Sequence, residues 1–183
     1  MYRDGLGTVK DLPRAADIFK TSCDKNYSKA CYGLGNMFRT GNGINQDYIN
    51  AFNLYKKACD AAYYSACNNL GYLYETGKGV NQNSETAADY YQEACQGNDA
   101  IGCSNTGYMF EKGIGVQQSY GKSHKYYQKG CDLGDGRGCG NLGWLTYYGT
   151  GTAPDKIKGL ELIEQGCKRG HNWSCDKLKQ LGK

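Results

Sequence analysis

The sequence has no long hydrophobic run, no block of like charge and very little histidine. No stretch approaches the roughly 18 consecutive apolar residues typical of a membrane-spanning helix, so we expect no membrane span. Lysine and arginine are interleaved with aspartate and glutamate, and the net charge is +4. This pattern leaves no basic patch of the kind that binds nucleic acid. The first residues also lack the apolar segment of a signal peptide.

The scarcity of histidine argues against metal chemistry. Only His124 and His171 occur, 47 residues apart and with no obvious nucleophile as a partner. Structural zinc sites use cysteines roughly two to four residues apart, or a mixture of cysteine and histidine. We therefore expect neither a metal ion nor another cofactor.

Cysteine, by contrast, is abundant and strictly spaced. The gaps between successive cysteines alternate between 8 and 28 residues, which gives a period of 36 residues. A fixed period in this range indicates a solenoid of stacked repeats. The ten positions are Cys23, Cys31, Cys59, Cys67, Cys95, Cys103, Cys131, Cys139, Cys167 and Cys175.

Other residue types recur with the same period. A glycine follows four residues after the second cysteine of a pair, as at Gly71, and a G-x-G element comes later in each repeat. Small residues and aromatic residues form further columns. Met1 is in register with Met37 and Leu73. We therefore expect the chain to begin near the end of a helix, as a C-terminal piece of a longer array or as a mature or trimmed form.

Each repeat is predicted to contain two helices. Helix A runs from the second cysteine to the G-x-G element, as over 67–76, because glycine ends helices in a left-handed conformation. Helix B ends at the first cysteine of the next pair, and a connection such as 60–66 leads to the next helix A. Helix B starts after a residue that is a good N-cap. The five aligned N-caps are Asp11, Asp47, Asn83, Ser119 and Asp155.

The string ACNNLGYLYETGKGV at 66–80 and its counterparts resemble the Sel1-like repeat (SLR) family, a relative of the tetratricopeptide repeat. The cysteines eight apart resemble the Helicobacter cysteine-rich protein family in particular. The resemblance covers essentially the whole chain. It implies an all-α fold, an α/α superhelical solenoid with one disulfide per repeat, in an exported bacterial protein. The predicted organisation is a single solenoid with a partial repeat 1–30, repeats 31–66, 67–102, 103–138 and 139–174, and a C-terminal capping helix 175–183.

The resemblance pairs the two cysteines of each repeat: Cys23–Cys31, Cys59–Cys67, Cys95–Cys103, Cys131–Cys139 and Cys167–Cys175. A short loop between antiparallel helices agrees with this pairing, since it can bring two Cα atoms within about 4.4–6.8 Å. The main alternative is a cytosolic protein with free buried thiols. Five disulfides would imply an oxidising compartment, which for a bacterial protein is the periplasm, the cell surface or the exterior.

Helix A has two faces with different composition. The residues three and seven positions after the second cysteine are mostly apolar and predict a core face. The residues two, five and nine positions after the second cysteine are mostly amides and aromatics. We call this second set of residues the A-helix stripe. In tetratricopeptide-type solenoids the A helices line the concave surface, and the resemblance implies the same arrangement here. The candidate binding residues on this stripe are Asn36, Asn69, Tyr72, Asn105, Tyr108, Lys112, Asn141, Trp144 and Tyr148.

The stripe suggests a groove that binds a peptide or a partner protein. We expect the chain to be monomeric. Two versions are open: a secreted factor that engages host proteins, and a periplasmic adaptor or immunity protein. A purely structural interpretation also stands, in which the amides bond to a neighbouring repeat and the tyrosines pack between helices.

An enzymatic alternative comes from the family resemblance, because some cysteine-rich relatives carry a penicillin-binding or weak β-lactamase label. Three S-x-x-K strings occur, beginning at Ser22, Ser119 and Ser174. Neither S-D-N nor K-T-G is present, so the serine β-lactamase set is incomplete. We predict no catalytic residue and keep a β-lactam-binding protein with weak hydrolase activity as the alternative function.

Overall fold

The computed structural model describes residues 11–182, and over this range it contains ten α-helices and no β-strand. The B helices are α1 (Leu12–Asp24), α3 (Tyr48–Asp60), α5 (Ser84–Gln96), α7 (Tyr120–Asp132) and α9 (Lys156–Lys168). The A helices are α2 (Ser28–Thr40), α4 (Tyr64–Thr76), α6 (Ala100–Lys112), α8 (Gly136–Tyr148) and α10 (Asn172–Gln180). The predicted all-α solenoid fold of helix-turn-helix repeats is confirmed. The register of Met1 lies outside the described residues.

The chain divides into two compact units, one up to Asn83 and one from Ser84. The first unit holds α1 to α4, and the second holds α5 to α10. In each unit, helices that follow one another along the chain pack together. Within 11–182, none of the helices combines the length and the apolar character needed to cross a membrane.

Most helix ends follow the predicted caps. A glycine with φ between 68° and 73° directly follows α2, α4, α6 and α8. This left-handed conformation ends each A helix without the penalty that a side chain would carry. Four of the predicted N-caps accept hydrogen bonds from backbone amides of the first turn: Asp11, Asp47, Ser119 and Asp155.

The predicted start of the A helices at the second cysteine is wrong. Each A helix begins three residues earlier, and each B helix continues one residue past the first cysteine. The connection therefore has three residues, as at 61–63, instead of seven. The physical reason is that the middle residue has a positive φ, which reverses the chain within one short turn. These middle residues are Asn26, Ala62, Asn98, Gly134 and Gly170.

One disulfide spans each of these turns. The paired Cα atoms are 4.4 to 4.9 Å apart, and the partners are those that the family resemblance implied. The part of the chain that the structure describes includes all ten cysteines and contains no free thiol. The disulfides thus hold the end of each B helix against the start of the following A helix.

The core of each unit brings a B-helix aromatic ring against an A-helix glycine. Tyr55 and Tyr127 are completely buried. A Cβ atom on Gly35 would lie 2.8 Å from the ring of Tyr55, and one on Gly107 would lie 2.6 Å from that of Tyr127. Close approach therefore explains the glycine in the middle of these A helices, which costs about 1 kcal/mol of helix propensity relative to alanine.

Candidate partner-binding surface

In the first unit, a hydrogen-bond network connects the A-helix stripe to the core. The Tyr55 hydroxyl donates to Asn36 Oδ1 at 2.7 Å, and Asn69 Nδ2 donates to the same oxygen at 3.1 Å. Arg39 Nε donates to the Tyr55 hydroxyl oxygen at 3.2 Å. Burial of the ring raises the pKa of Tyr55 to about 12, so the hydroxyl stays protonated and remains a donor at neutral pH. Asn36 and Asn69 are thus held in fixed orientations.

Tyr72 lies in the same unit and contacts a lysine that follows its helix. Lys78 Nζ donates to the Tyr72 hydroxyl at 2.8 Å. The ammonium is 5.2 Å from the ring centroid of Tyr72 and 5.5 Å from that of Tyr48. The hydrogen bond to Tyr72 raises the pKa of Lys78 above its ordinary value. The Lys78 ammonium is therefore held between two aromatic rings, next to the stripe residue Tyr72.

In the second unit, Asn105 also bonds to the neighbouring repeat. Arg137 Nη1 donates to Asn105 Oδ1 at 3.3 Å, and Arg137 is itself paired with Asp135, at 3.2 Å between Nη2 and Oδ2. Asn141 lies beside the Tyr127 hydroxyl. Burial raises the pKa of Tyr127, and a hydrogen bond with Asn141 acts in the opposite direction. The side-chain amides of Asn105 and Asn141 are therefore already hydrogen-bonded within the protein, like those of the first unit.

Glu111 connects the buried Tyr127 of α7 to Lys112 of the A-helix stripe. Glu111 Oε2 accepts a hydrogen bond from the Tyr127 hydroxyl at 2.8 Å, and Glu111 Oε1 lies 2.5 Å from Lys112 Nζ. The Lys112 ammonium is 5.9 Å from the ring centroid of Tyr108. Tyr108 itself is 41% exposed. Helix α6 therefore presents an exposed aromatic ring next to a paired lysine.

The last two A helices bring four large side chains together. The ring of Trp144 lies 4.7 Å from Tyr148 and 5.4 Å from Trp173, measured between centroids. Lys177 Nζ is 4.8 Å from the centroid of Trp144 and 5.5 Å from that of Trp173. We call Trp144, Tyr148, Trp173 and Lys177 the Trp–Lys cluster. Tyr148 is 54% exposed, so the cluster is open to solvent.

The nine predicted stripe residues all lie on A helices, and their proposed binding role stays a prediction. The amides are engaged with neighbouring repeats, whereas the rings of Tyr108 and Tyr148 are exposed. Lys78, Trp173 and Lys177 are three neighbours of the stripe that the sequence prediction did not include. The stripe pattern does not indicate them, because Lys78 follows the end of α4, and Trp173 and Lys177 reach Trp144 from a different helix.

Two of the three serines of the S-x-x-K strings, Ser119 and Ser174, have structural surroundings. The Ser119 hydroxyl accepts from the backbone amide of Lys122, while the Lys122 ammonium lies 4.9 Å from the ring of Phe110. Ser174 is completely buried and bonds to Nδ1 of His171 at 2.8 Å. A buried hydroxyl offers no access to a substrate. No contact in 11–182 specifically favours the β-lactam alternative.

The first unit also contains an open cavity of about 530 Å³ between α1 and α3. Leu34, Phe38, Ile44 and Leu54 form its apolar floor. Tyrosine occupies the position of Leu54 in the next two repeats, at Tyr90 and Tyr126. The rim carries both acidic and basic residues, among them Asp17 and Lys20, and so indicates no particular ligand.

Comparison with known proteins identifies the repeats. The family model described as Sel1 repeat matches residues 1–27, 28–63, 65–99, 100–135 and 137–171. No curated protein matches the chain significantly. A Sel1 repeat protein from Oxalobacter formigenes is 29% identical, with a TM-score of 0.93, over 99% of this chain and 74% of that one.

Two further solved structures are similar. Helicobacter pylori cysteine rich protein B is 35% identical, with a TM-score of 0.60, over 74% of this chain and 98% of that one. The protein c5321, a protective antigen of uropathogenic Escherichia coli with an SLR fold, is 26% identical, with a TM-score of 0.84. That match covers 95% of this chain and 37% of c5321. From the five matched repeats and these likenesses, the chain belongs to the Sel1 repeat family.

Proposed function

We propose that this chain binds a peptide or a partner protein along the A-helix stripe, in a concave groove, and does so outside the cytoplasm. Sel1 repeats form a protein-interaction fold, and solenoids of this kind typically bind through their extended concave surfaces. The observation that carries the proposal is the exposure of stripe aromatics: Tyr108 and Tyr148 are 41% and 54% exposed. Tyrosine is a favoured anchor in protein interfaces, and Tyr108 and Tyr148 are not needed to fill the core.

The five disulfides support the location. They indicate an oxidising compartment outside the cytoplasm, because thiols in the bacterial cytosol are kept reduced. Within that setting we propose either a secreted factor that engages host proteins or a periplasmic adaptor or immunity protein. The likeness to c5321, which is described as a protective antigen, favours the exported, host-facing version.

Affinity capture with a matched pair of variants tests this function. The purified, oxidised chain would be incubated with host-cell extract and, separately, with periplasmic extract of the producing bacterium. The stripe variant is Tyr108→Ala with Tyr148→Ala. The control is Ile101→Ala with Ile157→Ala, which removes two exposed apolar side chains outside the stripe.

The stripe variant should lose a partner that the wild type and the control both retain. The extract that supplies the partner separates the host-directed version from the periplasmic one. Equal retention by all three proteins would contradict binding through the stripe, as would loss in the control alone.

A further inference from the structure

The Trp–Lys cluster is rich in hydrogen-bond donors and poor in acceptors. An indole N–H donates only, and an ammonium has three hydrogens and no acceptor. Neither Trp144 nor Trp173 donates its indole N–H to any residue in the described range. Both side chains are half-buried, so these donors face a surface that a partner can reach.

Lys177 adds a charge that has no anionic partner among residues 11–182. Its ammonium donates one hydrogen bond, to Oε1 of Gln180 at 2.9 Å. Over residues 11–182, no carboxylate oxygen lies within 4.0 Å of this nitrogen. The adjacent Asp176 is instead 3.6 Å from Lys179 Nζ. The two indole rings beside the ammonium displace part of its water shell, and an incoming anion would therefore meet an accessible cation.

The other carboxylates of the last two helices are also committed elsewhere. Glu161 and Glu164 pair with lysines of their own helix, Lys158 and Lys168. Asp155 caps α9 through the backbone amide of Lys158. The cluster therefore combines indole donors, a cation and apolar walls, and no anion of the described residues pairs with its cation. This combination is complementary to a carboxylate that sits beside an apolar side chain.

We propose that the Trp–Lys cluster binds an Asp or Glu side chain in an extended segment of the partner protein. The partner's carboxylate would accept hydrogen bonds from Lys177 and from the indole N–H groups, and an adjacent apolar side chain would pack on Tyr148. This proposal rests on the proposed function, since it specifies the chemistry of the segment that the A-helix stripe would bind.

Tryptophan fluorescence tests the proposal directly, because Trp144 and Trp173 are the only tryptophans of the chain. The first probe is the peptide acetyl-Gly-Ser-Glu-Leu-Glu-Gly-Ser-amide. The second replaces both glutamates by glutamine, and the third is the glutamine peptide with a free C-terminal carboxylate. The glutamate peptide should change the emission saturably, with an affinity that falls as salt is added. The two glutamine peptides should not.

A pair of charge-matched variants locates the contact. Lys177→Gln should weaken the binding of the glutamate peptide by about tenfold or more, as the loss of one charge-assisted hydrogen bond implies. Lys179→Gln removes the same charge from an exposed lysine on the same helix, and should leave the affinity within about twofold.

Equal binding of the glutamate and glutamine peptides would overturn the proposal, as would equal effects of the two lysine variants. Binding of the free-carboxylate peptide alone would assign the cluster to chain ends instead of acidic side chains. If the peptides fail while Tyr108→Ala with Tyr148→Ala still abolishes capture, the acidic-segment proposal fails and the proposed function stands.

Discussion

The hydroxyl of Tyr55 donates a hydrogen bond to the side chain of Asn36 at 2.7 Å and so joins two neighbouring helices at the edge of the core. Because Tyr55 is completely buried, the loss of this acceptor would leave a buried hydroxyl with one bond fewer. We predict that Asn36→Ala lowers the free energy of unfolding by about 1–2 kcal/mol, as measured by chemical denaturation.

A double-mutant cycle provides the control. In a Tyr55→Phe background, Asn36→Ala should cost clearly less, because the hydroxyl that needed the acceptor is gone. Identical costs in the two backgrounds would show that the hydrogen bond does not couple these residues. A large coupling would assign Asn36 a structural role and leave the exposed aromatics as the main binding candidates.

The hydroxyl of Ser123 is an unfavourable feature of the second unit. Ser123 is completely buried. Among residues 11–182, its Oγ has no hydrogen-bond partner, although every other fully buried side-chain nitrogen or oxygen has one. The equivalent positions Ala51 and Ala87 carry no hydroxyl. Ser123→Ala should therefore raise the free energy of unfolding by about 1 kcal/mol.

The control for this prediction is another buried serine. Ser104 donates a hydrogen bond to the carbonyl of Ala100 at 3.3 Å, so Ser104→Ala should give no comparable gain. If both variants raised the thermal midpoint equally, alanine propensity and not the unpaired hydroxyl would be the cause.

Ala62 adopts a backbone conformation that alanine disfavours. Its φ is 58°, whereas the left-handed region costs an L-residue with a Cβ about 1–2 kcal/mol. Ala62→Gly should raise the free energy of unfolding by about 1 kcal/mol. The neighbouring Ala61 has a φ of −93°, so Ala61→Gly should lower it instead. A loss of stability in both variants would contradict the strain assigned to Ala62.

His171 is expected to make stability depend on pH. Burial, and to a lesser extent the positive charge of Arg137, lower the pKa of His171, while Asp135 opposes this effect. The unfolded chain then binds more protons than the folded chain just below the ordinary histidine pKa of about 6.5. Stability should therefore be fully present above that pH and fall as the pH drops through the lower, folded pKa.

Denaturation at several pH values checks the contribution of His171. Between pH 7 and 5, the His171→Gln variant should lose less stability than the wild type. Between pH 7 and 8, the difference between the two proteins should stay constant. Parallel curves over the whole acid range would show that His171 is not responsible.

Features of single helices and turns were predictable, and contacts between helices were not. The 36-residue period, the N-caps such as Asp47 and the ends of the A helices follow from the residue types in each repeat. The starts of the A helices were misplaced because nothing marks Ala62 as a residue with a positive φ. The Tyr55–Asn36 bond and the approach of Trp173 to Trp144 join different helices, and the residue pattern of a helix does not indicate which side chain of another helix it meets.

Site-specific photocrosslinking tests the central claim, that partners bind on the A-helix stripe, most directly. A benzophenone amino acid would replace Tyr108 on the stripe or, in a second protein, Ile157 on a B helix. Both side chains are exposed, Tyr108 at 41% and Ile157 at 76%. Each protein would be irradiated with the extract that supplies the captured partner. The account predicts a covalent adduct of that partner from position 108 and little from position 157. Equal adducts from both positions, or an adduct from position 157 alone, would contradict it.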